Sequence, residues 1–99
     1  FSYTLSFISG KYKMIILYCL MEYKTVRFNE LQRYIKKISD KTLSQNLKEL
    51  EKNQLIHREV YPQIPPKVEY SLTKRGQSLM KALDQLCIWG EEHRDEKSL

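Results

Sequence analysis

The 99 residues carry a formal charge of +5, are 41% hydrophobic, and include only three Gly and three Pro. That length supports one domain with a modest core, and the composition excludes a disordered chain. The longest apolar run, Met14–Met21, is far short of the ~18 residues a bilayer span needs, and no basic-then-apolar leader is present, so a cytoplasmic protein is expected.

The charge is unevenly placed. Residues 1–72 hold 12 Lys/Arg and 7 Asp/Glu, a net of +5, whereas residues 73–99 hold five of each. A basic module beside a balanced one points to a polyanion partner for the first and another task for the second. Cys19 and Cys87 fit no metal-ligand spacing, and each falls at an apolar position of a predicted helix. Reduced, buried thiols, no metal and no cofactor are therefore expected.

In chain order, residues 3–9 read as a short helix ended by Gly10. Tyr3, Leu5, Phe7 and Ile8 give it more apolar surface than a free terminus normally shows, so it docks on the core or meets another subunit. Lys11–Tyr23 is a second helix, apolar around nearly its whole circumference, which predicts a central position packed from several sides. Lys11 and Lys13 at its start can reach a phosphate. Thr25–Phe28 is extended in character, one small strand containing Arg27. Asn29 then caps a third helix, with Gln32 three residues on and Leu31, Tyr34, Ile35 and Ile38 along one side.

Ser39–Ile56 is the most informative stretch. Leu43, Leu47 and Leu50 stand at i, i+4 and i+7, one face of a helix capped by Ser39 with Asp40 in its first turn. The opposite face carries Lys41, Gln45, Lys48 and Lys52, edged by Thr42 and Ser44. Cations suit phosphate, while an amide and hydroxyls can read base edges in a major groove. An ordinary solvated helix face has the same look, and the flanking elements decide between them. Before it, a short amphipathic helix and a turn of about four residues make a helix-turn-helix, although the usual turn glycine is missing. After it, Ile56–Tyr61 and Val68–Leu72 form a predicted hairpin, with Ile56, Val60, Val68, Tyr70 and Leu72 inward. The linking P-Q-I-P-P-K holds all three prolines, which stiffen it into a projecting finger. The whole reads as a winged helix, mainly α with a small β-hairpin wing. Gln63 near the wing tip and Lys67 at its base are placed to touch backbone or minor groove.

Thr73 caps a last helix running to about His93. Leu79, Met80, Leu83, Leu86 and Cys87, with Trp89 beside them, form a stripe wider than one subunit of this size is expected to cover. Pairing with the N-terminal helix of a twofold-related copy would bury it. The expected division is one domain over 1–99: a DNA-binding core at 11–72, dimerisation helices at 1–10 and 73–94, and a frayed tail at 95–99.

Several of these stretches also resemble the HxlR-type family of bacterial winged-helix transcription regulators. They are Gly10–Lys13, Arg27–Leu31, Leu43–Ile56 and, most specifically, Y-P-Q-I-P-P-K-V-E-Y-S-L-T-K-R-G at Tyr61–Gly76. The resemblance covers about residues 3 to 92 and implies a homodimer, held by its terminal helices, on a twofold-symmetric operator. Several family members respond to electrophiles or oxidants through an N-terminal cysteine. In the family pattern that residue falls just before Phe1, so thiol sensing stays open. Tyr12 departs from the family's usual tryptophan.

The leading expectation is a dimeric regulator that reads double-stranded DNA through Lys41, Thr42, Gln45 and Lys48, with Ser39 and Ser44 nearby. Lys11, Lys13, Arg27, Gln63 and Lys67 serve the backbone and wing. Two alternatives remain: a winged helix used for protein–protein contact, and a thiol-responsive version of the regulator. No enzyme is expected, since His57 and His93 lack partners at a catalytic spacing and no glycine-rich phosphate loop exists.

Overall fold

Apolar spacing and capping chemistry set most of the elements seen in the computed structural model, which describes residues 2–94. They are α1 (Ser2–Ser6), α2 (Lys13–Tyr23), β1 (Thr25–Arg27), α3 (Phe28–Tyr34), α4 (Asp40–Lys52), β2 (Ile56–Tyr61), β3 (Lys67–Leu72) and α5 (Lys74–His93). The tail at 95–99 lies outside the described residues. The helices pack against a small antiparallel sheet of order β1-β3-β2. Its hairpin pairs Ile56 with Leu72 and runs out to Tyr61 opposite Lys67. The short strand β1 adds to the other edge, Val26 opposite Tyr70. This is a winged helix, a mainly helical fold in which the short strand read near Thr25–Phe28 joins the hairpin in one sheet.

The core is built where the leucine spacing of α4 meets α2. Leu43, Leu47 and Leu50 are buried against Ile16, Leu17 and Leu20, with Val26, Leu31, Ile35, Ile56 and Tyr70 closing the sides. Ser39 caps α4, its hydroxyl accepting the Thr42 N–H at 3.1 Å. The cap of α3 differs from expectation. Arg27, not Asn29, is the N-cap residue, and its N–H donates to the Glu30 carboxylate at 2.8 Å. Gln32 is occupied elsewhere, donating to Asp40 at the start of α4. In the turn between α3 and α4, Lys37 takes the left-handed conformation (φ +69°) where a glycine is common.

Other corrections follow from which surfaces the sheet and helices cover. α2 is not enclosed all round: Ile15, Met21 and Tyr23 stay exposed, because α4, β3 and α5 cover only the flank bearing Ile16, Leu17 and Leu20. Tyr23 stacks on Tyr34 at 4.4 Å instead. Val60 is 47% exposed, since the hairpin runs beyond the helices and only Ile56 at its base is buried. α1 stops at Ser6, and Phe7 and Ile8 after it pack on the core while Tyr3 and Leu5 remain exposed. The guanidinium of Arg75 lies 5.1 Å over the Phe7 ring.

The junction of α4, β2 and α5 is tightly tied. Helix α4 ends in a Schellman arrangement, with Gln54 N–H to Glu51 C=O (2.9 Å) and Leu55 N–H to Leu50 C=O (3.0 Å). Thr73 then makes three bonds: its N–H donates to Leu55 C=O (3.1 Å), its hydroxyl donates to Gln54 C=O (2.6 Å) and accepts from Gly76 N–H (3.0 Å). Gln54 pays for this geometry with φ +61°. A left-handed L-residue costs about 1–2 kcal/mol, and glycine gives back about half of that in unfolded-chain entropy. Gln54→Gly is accordingly expected to raise stability by about 0.5–1 kcal/mol. A urea midpoint below wild type would show that the side chain contributes something this geometry does not reveal.

Candidate nucleic-acid interface

With three leucines of α4 drawn into the core, the opposite face is turned outward. Lys41, Gln45 and Lys48 are exposed, and Thr42 and Ser44 flank them half-buried. The hydroxyls of Ser39 and Thr42 are partly engaged: Ser39 donates to Thr42 at 2.9 Å within the cap. Asn46, at mid-helix, donates back to the Thr42 carbonyl at 2.7 Å. Two of the helix's carboxylates are compensated, Asp40 by the Gln32 amide and Glu49 by Lys13. Among the described residues Lys41 and Lys48 form no ion pair, so this face presents positive charge around a central amide.

Lys13 is not part of that face. It is buried, with its Nζ 3.1 Å from Glu49 Oε2. A desolvated ammonium is stable only beside such a partner, and this one has no charge free for a phosphate, so its assignment as a backbone contact is withdrawn. It fastens the start of α2 to α4. Lys11, two residues earlier, stays exposed with its ammonium 5.4 Å from the Tyr12 ring centroid.

Arg27, Gln63 and Lys67 line one cleft of about 360 Å³, together with Asn29 and the Pro65–Pro66 segment. Lys67 is more constrained than its position in the sequence implied. Its Nζ is 3.2 Å from Glu69 Oε2 and 4.8 Å from the Tyr61 ring centroid. A hydrogen bond to the same Glu69 carboxylate pushes the Tyr61 phenol pKa up, with charge repulsion adding to it. Part of the Lys67 charge is thus neutralised within the wing. Ile64 at the tip is fully exposed.

Arg58 had no assignment from the sequence. Its phase with Ile56 and Val60 was the available signal: alternation puts it on the same side of the sheet as Ile56, toward α4. There it lines a cleft of about 350 Å³ with Ser44, Lys48 and Glu51.

The stripe on α5 divides. Met80 and Leu83 are buried within their own subunit and Leu79 packs partly on that core, because α2 and β3 cover the first half of the helix. Met80 and Leu83 therefore have no surface left for a partner, and their assignment to a dimer contact is withdrawn. Leu86, Ile88 and Trp89 remain 65%, 51% and 58% exposed. Cys87 is exposed rather than buried, its Sγ 3.1 Å from the Tyr18 hydroxyl. That bond, followed by burial, pushes the Tyr18 phenol up to about 12. Burial also pushes the Cys19 thiol up, opposite to what a reactive thiolate needs. Among the described residues no helix is long and apolar enough to cross a membrane.

Comparison with known proteins bears on this surface. The profile of the HxlR-like helix-turn-helix family matches residues 7–98. The chain belongs to that family. It is 53% identical over 95 residues to BH0655, an HTH-type transcriptional regulator of Halalkalibacterium halodurans, spanning 96% of this chain and 84% of the relative. Among solved structures, a MarR-family transcriptional regulator of Enterococcus faecalis V583 superposes with a TM-score of 0.91 at 40% identity, over 98% of this chain and 87% of that one. The reduced form of the redox regulator HypR gives 0.86 at 45%, over 95% and 92%. This HxlR-like chain is a transcriptional regulator with a helix-turn-helix domain.

Proposed function

We propose that the protein binds duplex DNA in a sequence-specific manner, as a homodimer on a twofold-symmetric operator. The observation that carries this is the two-sidedness of α4, with Leu43, Leu47 and Leu50 buried and Lys41, Gln45 and Lys48 exposed opposite them beside the wing. In this reading α4 enters the major groove. Gln45 pairs with a base edge, since an amide can donate to and accept from adenine together. Thr42 and Ser44 sit at the groove edge, with the Ser39 cap behind them. Lys11, Lys41, Lys48 and Arg27 meet phosphates, and Gln63 and Lys67 bring the wing to the backbone or minor groove. Residues 11–72 form the reading unit. Tyr3, Leu5, Leu86 and Trp89 form the pairing surface, with Phe7, Ile8, Leu79 and Cys87 at its margin and Ile88 added. Twofold pairing sets the two helices about 34–36 Å apart, one turn of duplex.

The test uses operator DNA recovered by in vitro selection, which yields site, symmetry and spacing together. Gln45→Ala is expected to lose about 1–3 kcal/mol on the selected site and little on random DNA. Lys48→Ala is expected to weaken both alike, because phosphate contacts carry no sequence information. Unchanged affinity in both variants would show that α4 presents the wrong face for this role. A protein-docking winged helix is distinguished by salt, since counterion release makes DNA affinity fall steeply as salt rises.

A further inference from the structure

β2 sends Arg58 out on the same side as the buried Ile56, and Tyr70 faces it across the ladder. The cleft walls are Ser44, Lys48 and Glu51 on one side and Arg58 on the other, with Phe28 and Tyr70 between. Arg58 is exposed and makes no ion pair among the described residues, although Glu51 shares the cleft. A strong cation thus stands without a carboxylate at ion-pair distance, on the face of β2 that opens toward α4.

An α-helix with side chains is about 10–12 Å across, and the major groove is about 12 Å wide. A helix seated there is flanked closely by both sugar-phosphate strands. The strand on the wing side must pass between α4 and the wing, which is where this cleft lies. We propose that Arg58 grips a phosphate of that strand, with Lys48 on the facing wall, so that one backbone segment is held from two sides. The guanidinium suits this position because its planar fork can give two parallel hydrogen bonds to phosphate oxygens, which an ammonium cannot. This assignment rests on the DNA-binding reading and adds a contact from the strand face rather than from α4 or the wing tip.

The test is fluorescence anisotropy on a labelled random-sequence 30-bp duplex across a salt series, for wild type, Arg58→Ala and Arg58→Lys. Loss of one phosphate contact should flatten the slope of log K against log salt by about 0.9 per protomer. Arg58→Ala should show that flattening with affinity about tenfold lower at moderate salt. Arg58→Lys should keep the wild-type slope and lose part of the affinity. Thermal unfolding of all three should coincide, because the side chain is exposed. An Arg58→Ala slope equal to wild type overturns the assignment, whether affinity falls (a role in shaping the wing) or holds (no role). Wild-type protein that shows no salt-dependent binding overturns the DNA-binding reading itself, and this inference with it.

Discussion

Gly76→Ala is expected to lower the stability of the folded protein by about 3 kcal/mol or more, although the substitution sits in a helix. Helix propensity alone argues the other way, since alanine is favoured over glycine by about 1 kcal/mol in a helix interior. Packing decides the sign. Gly76 is buried in the first turn of α5, and a Cβ there would fall well inside the contact distance of the Leu55 backbone carbonyl. That oxygen cannot rotate away, because it belongs to the chain leaving α4 and already accepts the Thr73 N–H. Relief requires α5 to lift from the α4–β2 junction, which stretches the Thr73 bonds to Leu55 and Gln54 and loosens the packing of Met80. Overpacking of this kind costs about 1–3 kcal/mol, each hydrogen bond lost adds about 0.5–1.5, and domains hold only about 5–15 in total. Urea denaturation followed by circular dichroism measures it, at one fixed protein concentration for both variants. A variant as stable as wild type would mean that α5 approaches this carbonyl less closely.

The second large effect concerns assembly. Leu86→Lys combined with Trp89→Lys is expected to halve the mass seen by light scattering and to weaken operator binding by about 10²–10⁴-fold, the usual advantage of joining two sites. Leu86 and Trp89 are one turn apart on α5, in the part of the helix whose large apolar side chains its own subunit leaves exposed. Side chains this large and apolar seldom stand together in water on a monomer. Two lysines facing their symmetry copies would place four like charges in one interface. Because both positions are exposed, the subunit itself should still fold, and its binding to a single half-site should survive at low salt. A double variant that stays dimeric would move the contact elsewhere, the exposed flank of α2 being the next apolar surface.

The winged-helix plan could be read largely from the sequence, because its strongest determinants are local. Ser39 with Asp40 and the leucines of α4 specify a capped, two-sided helix without help from distant residues, and the hairpin declares itself by alternation around a proline-rich loop. What could not be read depends on long-range partners. The three residues of β1 are too few to choose a neighbour, and pairing with β3 comes from the way α2 delivers the chain. A lysine in the first turn of a helix reads as exposed until Glu49, 36 positions later, is found beside it. The apolar stripe of α5 reads as one surface, yet α2 and β3 cover its first half only. Arg58 was passed over because a charged residue in phase with inward ones looks like an irregularity, whereas here its side opens into a cleft. The cap of α3 shifted because Glu30 reaches the backbone at Arg27 while Gln32 is drawn to Asp40.

The three bonds of Thr73 have a mechanical consequence. They join the end of α4, the root of the wing and the beginning of α5 at a single residue, through its main-chain N–H and its hydroxyl. Tilting the last helix therefore drags α4 and the wing with it. In the proposed dimer, any event that alters how the two copies clasp one another would change the separation and pitch of the paired α4 helices, and so the fit to a fixed stretch of duplex, without a signal ever touching the residues assigned to DNA.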